Sequence, residues 1–275
     1  MAKTELIYAK FKNGVPYLRF GTGAQTLLFL VGGPGNILPV GYAASGFLRG
    51  MEGFEADYTI YLASRKSGLP EGYTTRNMAD DYAELIREDF GGYVDVVIGY
   101  SFGGLILQHF AADHAGLCGH LVIGGAAHQV SAAALQIDLQ YATLVSQGQD
   151  RDAMAARAAA VFTRGPLRRL LAAVLWVFGK VLMGPVDDTF RKDVLIEAQA
   201  EVNHAAIDSL KRIQVPVLIV CGADDFAFPL ADVQAMAGMV PQATLKVYPR
   251  GHSTVFLDKH FASDVREFTR RPRPG

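Results

Sequence analysis

The sequence predicts an α/β fold: a mainly parallel sheet with helices on both faces, opened by an antiparallel pair and interrupted by an all-helical insert. Three observations predict it. Short apolar runs alternate with helical patterns up to about residue 127 and again after residue 209. Between His128 and Ser209 no strand-like run occurs and the chain reads as successive helices. Several apolar runs stop at glycine-bearing loops, the usual loop edge of a parallel sheet. The chain has 275 residues, 50% of them hydrophobic, which suffices for one large core carrying an inserted subdomain. The expected division is a core of residues 1–127 and 210–275, with residues 128–209 as a helical cap.

Taken in order, Glu5–Phe11 and Val15–Phe20 flank Asn13-Gly14, a hairpin signal. Thr26–Val31 is a continuous apolar run that ends in Gly32-Gly33-Pro34-Gly35-Asn36, and Tyr58–Ala63 reads as the next strand. Thr75–Asp89 is a helix with Thr75 as its expected N-cap and Met78, Tyr82, Leu85 and Ile86 at helical spacing. The strand Val94–Ile98, the helix Gly103–Asp113 and the short buried strand His120–Ile123 follow. The insert reads as helices over Ala132–Gln147, Arg151–Phe162, Leu167–Leu182 and Asp188–Ile207, punctuated by Gly165-Pro166 and Gly184-Pro185. Val215–Cys221 and Ala243–Tyr248 resume the strands, with a helix at Leu230–Met239 between them and an amphipathic helix at Val255–Phe268 to finish. That gives eight strands.

Between the strand Val94–Ile98 and the helix after it lies Gly99-Tyr100-Ser101-Phe102-Gly103. A strand, a sharp turn and a helix leave little room for side chains two residues either side of the apex, so glycines stand there. Ser101 is thereby exposed at a helix N-terminus beside free backbone amides, the setting of an activated nucleophile. A serine hydroxyl needs a base, and the base needs an orienter. Both occur in loops after later strands: Asp224-Asp225 after Val215–Cys221, and His252 after Ala243–Tyr248. Ser, acid, His is one of the known chain orders of a triad. Either aspartate can hold the imidazole. The bare amides of Gly32-Gly33-Pro34-Gly35, with the N–H of Phe102, offer a site for a developing oxyanion.

Together these residues resemble the α/β-hydrolase superfamily, and within it the serine hydrolases with a helical cap. The resemblance spans nearly the whole chain and implies an eight-stranded α/β-hydrolase sheet. The loop from Gly222 to Pro229 is similar to the family's G-x-x-D-x-x-x-P pattern, which places the acid at Asp225, and His252 follows it by 27 residues. It implies catalytic Ser101, Asp225 and His252, with oxyanion donors at Gly33 and Phe102, and no cofactor or metal. Two departures stand out. Val31 occupies the position of the family's histidine before the glycines, and Ser64-Arg65-Lys66-Ser67-Gly68 replaces the common Asp-x-Arg-Gly-x-Gly. A serine rather than an aspartate nucleophile argues against epoxide hydrolase and haloalkane dehalogenase chemistry.

The expected reaction is hydrolysis of a carboxylic ester, lactone or thioester of a small, largely apolar substrate through an acyl-enzyme on Ser101. Carbon–carbon hydrolysis, a lyase or cyclase step with the same triad, and a non-catalytic ligand receptor are the alternatives. Pro34, Trp176 and Phe226 are the expected substrate contacts, Trp176 because Leu167–Leu182 is apolar nearly all round, which reads either as packing on the core or as a cap helix lining an apolar pocket, with a membrane surface or a partner as the third reading. His128 and His204 bracket the insert and are candidates to face the cavity. His109, His114 and His120 lack metal-binding spacing. Lys and Arg (26) balance Asp and Glu (27), which argues against a nucleic-acid partner. The basic tail Arg270-Arg271-Pro272-Arg273-Pro274 reads as a frayed end. Lys180 breaks the longest apolar stretch, so no stable membrane insertion is expected. Cys118 and Cys221 read as buried reduced thiols. With the absence of an apolar leader after Met1, this predicts a cytoplasmic protein, and a homodimer is compatible with the sequence.

Overall fold

The computed structural model describes residues 5–35, 37–40, 47–161, 165–184 and 186–270. Met1, Asn36, Phe162, Pro185 and the tail from Arg271 lie outside the described residues. Eight strands form one sheet: β1 (Ile7–Lys10), β2 (Pro16–Phe20), β3 (Gln25–Leu30), β4 (Tyr58–Ala63), β5 (Val94–Tyr100), β6 (Cys118–Gly124), β7 (Val217–Gly222) and β8 (Ala243–Tyr248). Their spatial order is β1-β2-β4-β3-β5-β6-β7-β8. β1 and β2 run antiparallel to their neighbours, and β3 to β8 are mutually parallel.

The central strands are apolar on both faces because both faces are covered. Along β3 and β5, Leu28, Leu30 and Val97 pack into one core, with Leu27, Phe29, Val96 and Ile98 in the other. The first core is closed by α1 (Thr75–Asp89), α2 (Phe102–Asp113) and α9 (Leu230–Met239), which contribute Met78, Tyr82, Leu105, Phe110, Val233 and Met236. The second is closed by Met51 and Phe54 and by α10 (Phe261–Thr269), through Phe261, Val265 and Phe268. Cys118 and Cys221 are both buried.

Two boundaries differ from expectation for local reasons. The N-cap of α1 is Thr74, not Thr75. Thr74 and Asn77 form a reciprocal capping box, whereas the residue three beyond Thr75 is the apolar Met78. The Thr75 hydroxyl instead meets His204 Nδ1 at 2.9 Å. The final helix is split into a 3₁₀ turn at His252–Leu257 and α10. Asp258 breaks it, because its carboxylate accepts from His260 N and from Arg250 Nε, both at 3.0 Å.

Between β6 and β7 the described residues contain helices only: α3 (Ala132–Ser146), α4 (Asp150–Ala156), α5 (Ala158–Val161), α6 (Pro166–Met183), α7 (Asp188–Val202) and α8 (Ile207–Arg212). Ser131 and Asp187 cap α3 and α7 through their side chains, and proline opens α6. The insert has its own small core of Tyr141, Val145, Met183, Phe190 and Val194. The helix expected over Asp188–Ile207 stops at Val202 with Asn203 as its C-cap, and α8 starts at Ile207 and turns back onto α2, where the Ser209 hydroxyl meets His109 Nδ1 at 3.0 Å. Among the described residues no helix is long and apolar enough to cross a membrane.

Candidate active site

Ser101 follows β5 directly and precedes α2. Its φ is +55°, and it is the sole non-glycine residue with positive φ among those described. This backbone is strained for an L-residue and persists because its surroundings leave no alternative. A Cβ on Gly99 would lie 2.4 Å from the Gly103 carbonyl oxygen, and one on Gly103 would lie 2.2 Å from that of Leu30. The glycines thus let α2 cross closely over β5 and β3, while the Ser101 N–H is held by the Gly124 carbonyl at 2.9 Å.

The ends of β7 and β8 bring two more groups to this edge. Asp225 is buried; its Oδ1 accepts from the amides of Ala227 (2.9 Å) and Phe228 (3.0 Å). Its Oδ2 lies 2.8 Å from His252 Nδ1, and His252 Nε2 lies 3.0 Å from Ser101 Oγ. Since a carboxylate only accepts, Nδ1 carries the proton, Nε2 is the acceptor and the Ser101 hydroxyl donates to it. Asp224, the rival acid, is exposed. Tyr100 donates its hydroxyl to the His252 carbonyl and fixes that loop from below.

The glycine loop after β3 completes the edge. A Cβ on Gly32 would meet Ser101 Cβ at 3.2 Å and Oγ at 3.6 Å, so this loop lies against the serine. Behind it lies the guanidinium of Arg65. Nη1 donates to the carbonyls of Val31 and Gly32, each at 2.9 Å, and Nη2 donates to that of Gly35. Arg65 also forms a fork with Glu197, with Nε–Oε1 and Nη2–Oε2 both 3.0 Å. Glu197 in turn accepts the Gly35 N–H at 2.5 Å. Arg65 is 1% and Glu197 0% exposed. Burial alone would lower the pKa of Arg65, but Glu197 outweighs it and raises the net value. Gly33 must be glycine here, because a Cβ would sit 2.6 Å from Arg65 Nη2. Arg65 also lies over the Phe102 ring, 5.2 Å from its centroid.

A family model described as the alpha/beta hydrolase family matches residues 27–263. The chain belongs to the alpha/beta hydrolase family. Solved structures of similar fold include the enol-lactonase from Burkholderia xenovorans, at 19% identity and TM-score 0.71, covering 96% of this chain and 100% of that one. A thermophilic esterase from Thermogutta terrifontis matches at 17% and 0.68, covering 97% and 98%. A meta-cleavage product hydrolase from Pseudomonas fluorescens matches at 14% and 0.64, covering 98% of both chains. No curated protein matches this sequence.

In this alpha/beta hydrolase, Ser101 and His252 lie on the floor of a cleft of about 350 Å³ between the sheet edge and the insert. Gly32, Gly33, Phe226, Phe228 and Phe256 line one part of it. The insert contributes Asp138 from α3, Arg157 after α4 and Glu201 from α7. Asp138 and Glu201 hydrogen-bond each other. Burial pushes Asp138 up to about 6, against the opposing pull of Arg157 and His252. Burial, then the Asp138 charge, holds Glu201 well above the usual carboxylate range. A second, apolar cavity of about 410 Å³ shares Gly32, Tyr100 and Phe256 with the first and extends over Phe29, Phe47 and Leu62.

Of the expected substrate contacts, Phe226 lines the cleft. Pro34 is buried in the glycine loop and is not among the cleft-lining residues. Trp176 needs correction: it is 43% exposed, donates from Nε1 to Asp152 at 3.0 Å, lies under the Arg151 guanidinium and lines no part of the cleft. His204 and His128 do not face the cleft either. His204 is held by Thr75 and Gln108, and His128 by the Asp232 carbonyl. The residues that sequence reasoning missed do leave a signal. Asp193, Glu197 and Glu201 recur every four residues on α7, and all three are buried. Asp193 accepts from the amides of Gly68 and Leu69, both at 2.8 Å, so this acid stripe faces the protein rather than water.

Proposed function

We propose that the protein is a serine hydrolase acting on a carboxylic ester, lactone or thioester. The observation that carries this reading is the Asp225–His252–Ser101 hydrogen-bond chain at the floor of the cleft. Ser101 Oγ attacks the substrate carbonyl while His252 Nε2 takes its proton. Asp225 keeps the ring in the right tautomer and stabilises the imidazolium. The amides of Gly33 and Phe102 serve the oxyanion, and His252 then returns the proton to the leaving alcohol or thiol. Water, activated by the same histidine, releases the acid from Ser101. The apolar cavity shared through Gly32 and Tyr100 suits the apolar half of such a substrate.

The test is labelling by a fluorophosphonate probe together with turnover of a panel of esters, lactones and thioesters. Both activities should vanish in Ser101→Ala and His252→Ala variants that keep their fold. Turnover that survives in folded Ser101→Ala protein refutes the reading. A second reading, hydrolysis of a carbon–carbon bond with the same triad, draws on the likeness to the meta-cleavage product hydrolase. Efficient cleavage of β-diketones with sluggish ester turnover would favour it.

A further inference from the structure

We propose that Asp138, Arg157 and Glu201 form a recognition subsite for a neutral substrate arm that offers both a hydrogen-bond donor and an acceptor, with a terminal carboxamide as the fullest match. The inference rests on the hydrolase reading of the same cleft and names the kind of substrate it takes. Three ionisable side chains from separate parts of the insert converge on one wall of the cleft that holds Ser101. A polar group buried without need costs folding free energy, so its presence beside a reactive centre calls for a ligand. Glu201 is only 4% exposed, and its Oε2 has no donor among the described residues. That oxygen is free to accept. Two carboxyl groups in contact share a proton, and burial raises both above the usual carboxylate range, so the pair carries about one negative charge between them. Arg157, packed over the Tyr141 ring at 4.7 Å, supplies the balancing positive charge and the donors.

The wall is therefore polar and close to charge-balanced. A carboxylate arm would face Asp138 and an ammonium arm would face Arg157, each adding an uncompensated charge in a half-buried site. A carboxamide adds none. Its N–H groups can donate to Glu201 Oε2, and its carbonyl can accept from Arg157.

The experiment compares matched ester pairs at neutral pH. On the acyl side these are ethyl glutaramate and its isostere ethyl 5-methylhexanoate. On the alcohol side they are the acetates of 4-hydroxybutanamide and of 4-methylpentan-1-ol. Monoethyl glutarate and ethyl 4-(trimethylammonio)butanoate supply the charged arms. In at least one pair, wild-type kcat/KM should favour the carboxamide by about tenfold or more, the range of a hydrogen bond to a buried acid. Glu201→Leu should bring that ratio near unity, and Glu201→Gln should retain part of it. Each ratio is read within one variant, so folded fraction cancels. In parallel, calorimetry of Ser101→Ala protein with glutaramide reads binding without turnover. Ser101-dependent hydrolysis with no carboxamide preference, or with a preference for a charged arm, overturns the subsite and leaves the hydrolase reading standing. Glutaramide binding that depends on Glu201, with no ester turned over, sustains the subsite and overturns the ester reading. Neither turnover nor binding overturns both.

Discussion

Arg65→Met should separate the two roles of the buried fork behind the glycine loop. Arg65 makes five hydrogen bonds, two to Glu197 and one each to the carbonyls of Val31, Gly32 and Gly35. Removing it leaves Glu197 charged and uncompensated in a site with no solvent access, which typically costs about 3–5 kcal/mol. It also releases three carbonyls of the loop that carries the Gly33 amide. Losing one oxyanion donor outright costs about 3 kcal/mol in barrier, on the order of 100-fold in kcat, so a displaced loop should cost up to that amount. The double variant Arg65→Met/Glu197→Leu removes the stranded charge, and apolar replacement of a buried pair is often neutral. It should therefore recover most of the stability and little of the rate, because the loop carbonyls and the Gly35 N–H remain unanchored. Arg65→Lys keeps the charge but loses the fork, and should fold better than Arg65→Met while still losing rate. Stability is read by urea denaturation and kcat on an activated ester under conditions where each variant is folded. If the double variant regains stability and kcat together, or if folded Arg65→Met turns over at the wild-type rate, Arg65 does not position the glycine loop for the proposed chemistry.

Gly103→Ala should fail to fold, because its Cβ would lie 2.2 Å from the Leu30 carbonyl; soluble protein with wild-type thermal stability contradicts the packing argument. Gly32→Ala should fold but lose kcat, since its Cβ presses on Ser101 at 3.2 Å, and titration with a fluorophosphonate probe would show slower labelling. His204 is held neutral by burial, with its pKa pushed down to about 3. The unfolded chain therefore binds the extra proton between about pH 6.5 and 3, and this contribution to stability is complete above that window and falls on acidification. In His204→Gln the slope of unfolding free energy between pH 6 and 4 should shrink by about 1 kcal/mol per pH unit; an unchanged slope shows that His204 titrates freely in the fold. Trp176→Ala should leave KM within about twofold for any ester, given its place outside the cleft; a larger rise puts the indole in the substrate path.

The sheet and the Ser101–Asp225–His252 edge were legible because each is dictated locally. A parallel strand covered on both faces must be a short apolar run, and a loop after it is free to carry polar residues. The serine turn announces itself through Gly99 and Gly103, whose absent side chains are a steric necessity seen in the clashes above. The fork of Arg65 and Glu197 was not legible, although Arg65 stood in a motif that departs from the family pattern. It joins positions 132 residues apart, and nothing in the local pattern of either segment points to the other. The departure at Val31 left open only what stands behind the glycine loop. The structure supplies Arg65, from the very segment whose motif also departed from the family pattern.

The place of the apolar helix α6 was not legible for a different reason. The apolar stretch around Trp176 was expected to cover the substrate, yet Leu170, Val177, Phe178 and Val181 face outward, Val181 at 81% exposure. Hydrophobic content counts what a helix carries, not which way it is turned. The side that α6 buries is small, with Gly179 and Met183, and Gly179 sits close enough to α4 that a Cβ would lie 2.9 Å from Arg151 Cα. The helices that do face the cleft, α3 and α7, bring Asp138 and Glu201 to it. On α7 the next buried acid toward its N-terminus, Glu197, holds Arg65 and through it the glycine loop. A single helical face thus supplies both the polar wall above Ser101 and the brace behind the amides beside it. Substitutions along that face should change selectivity and rate together, which a lid that merely excludes water would not do.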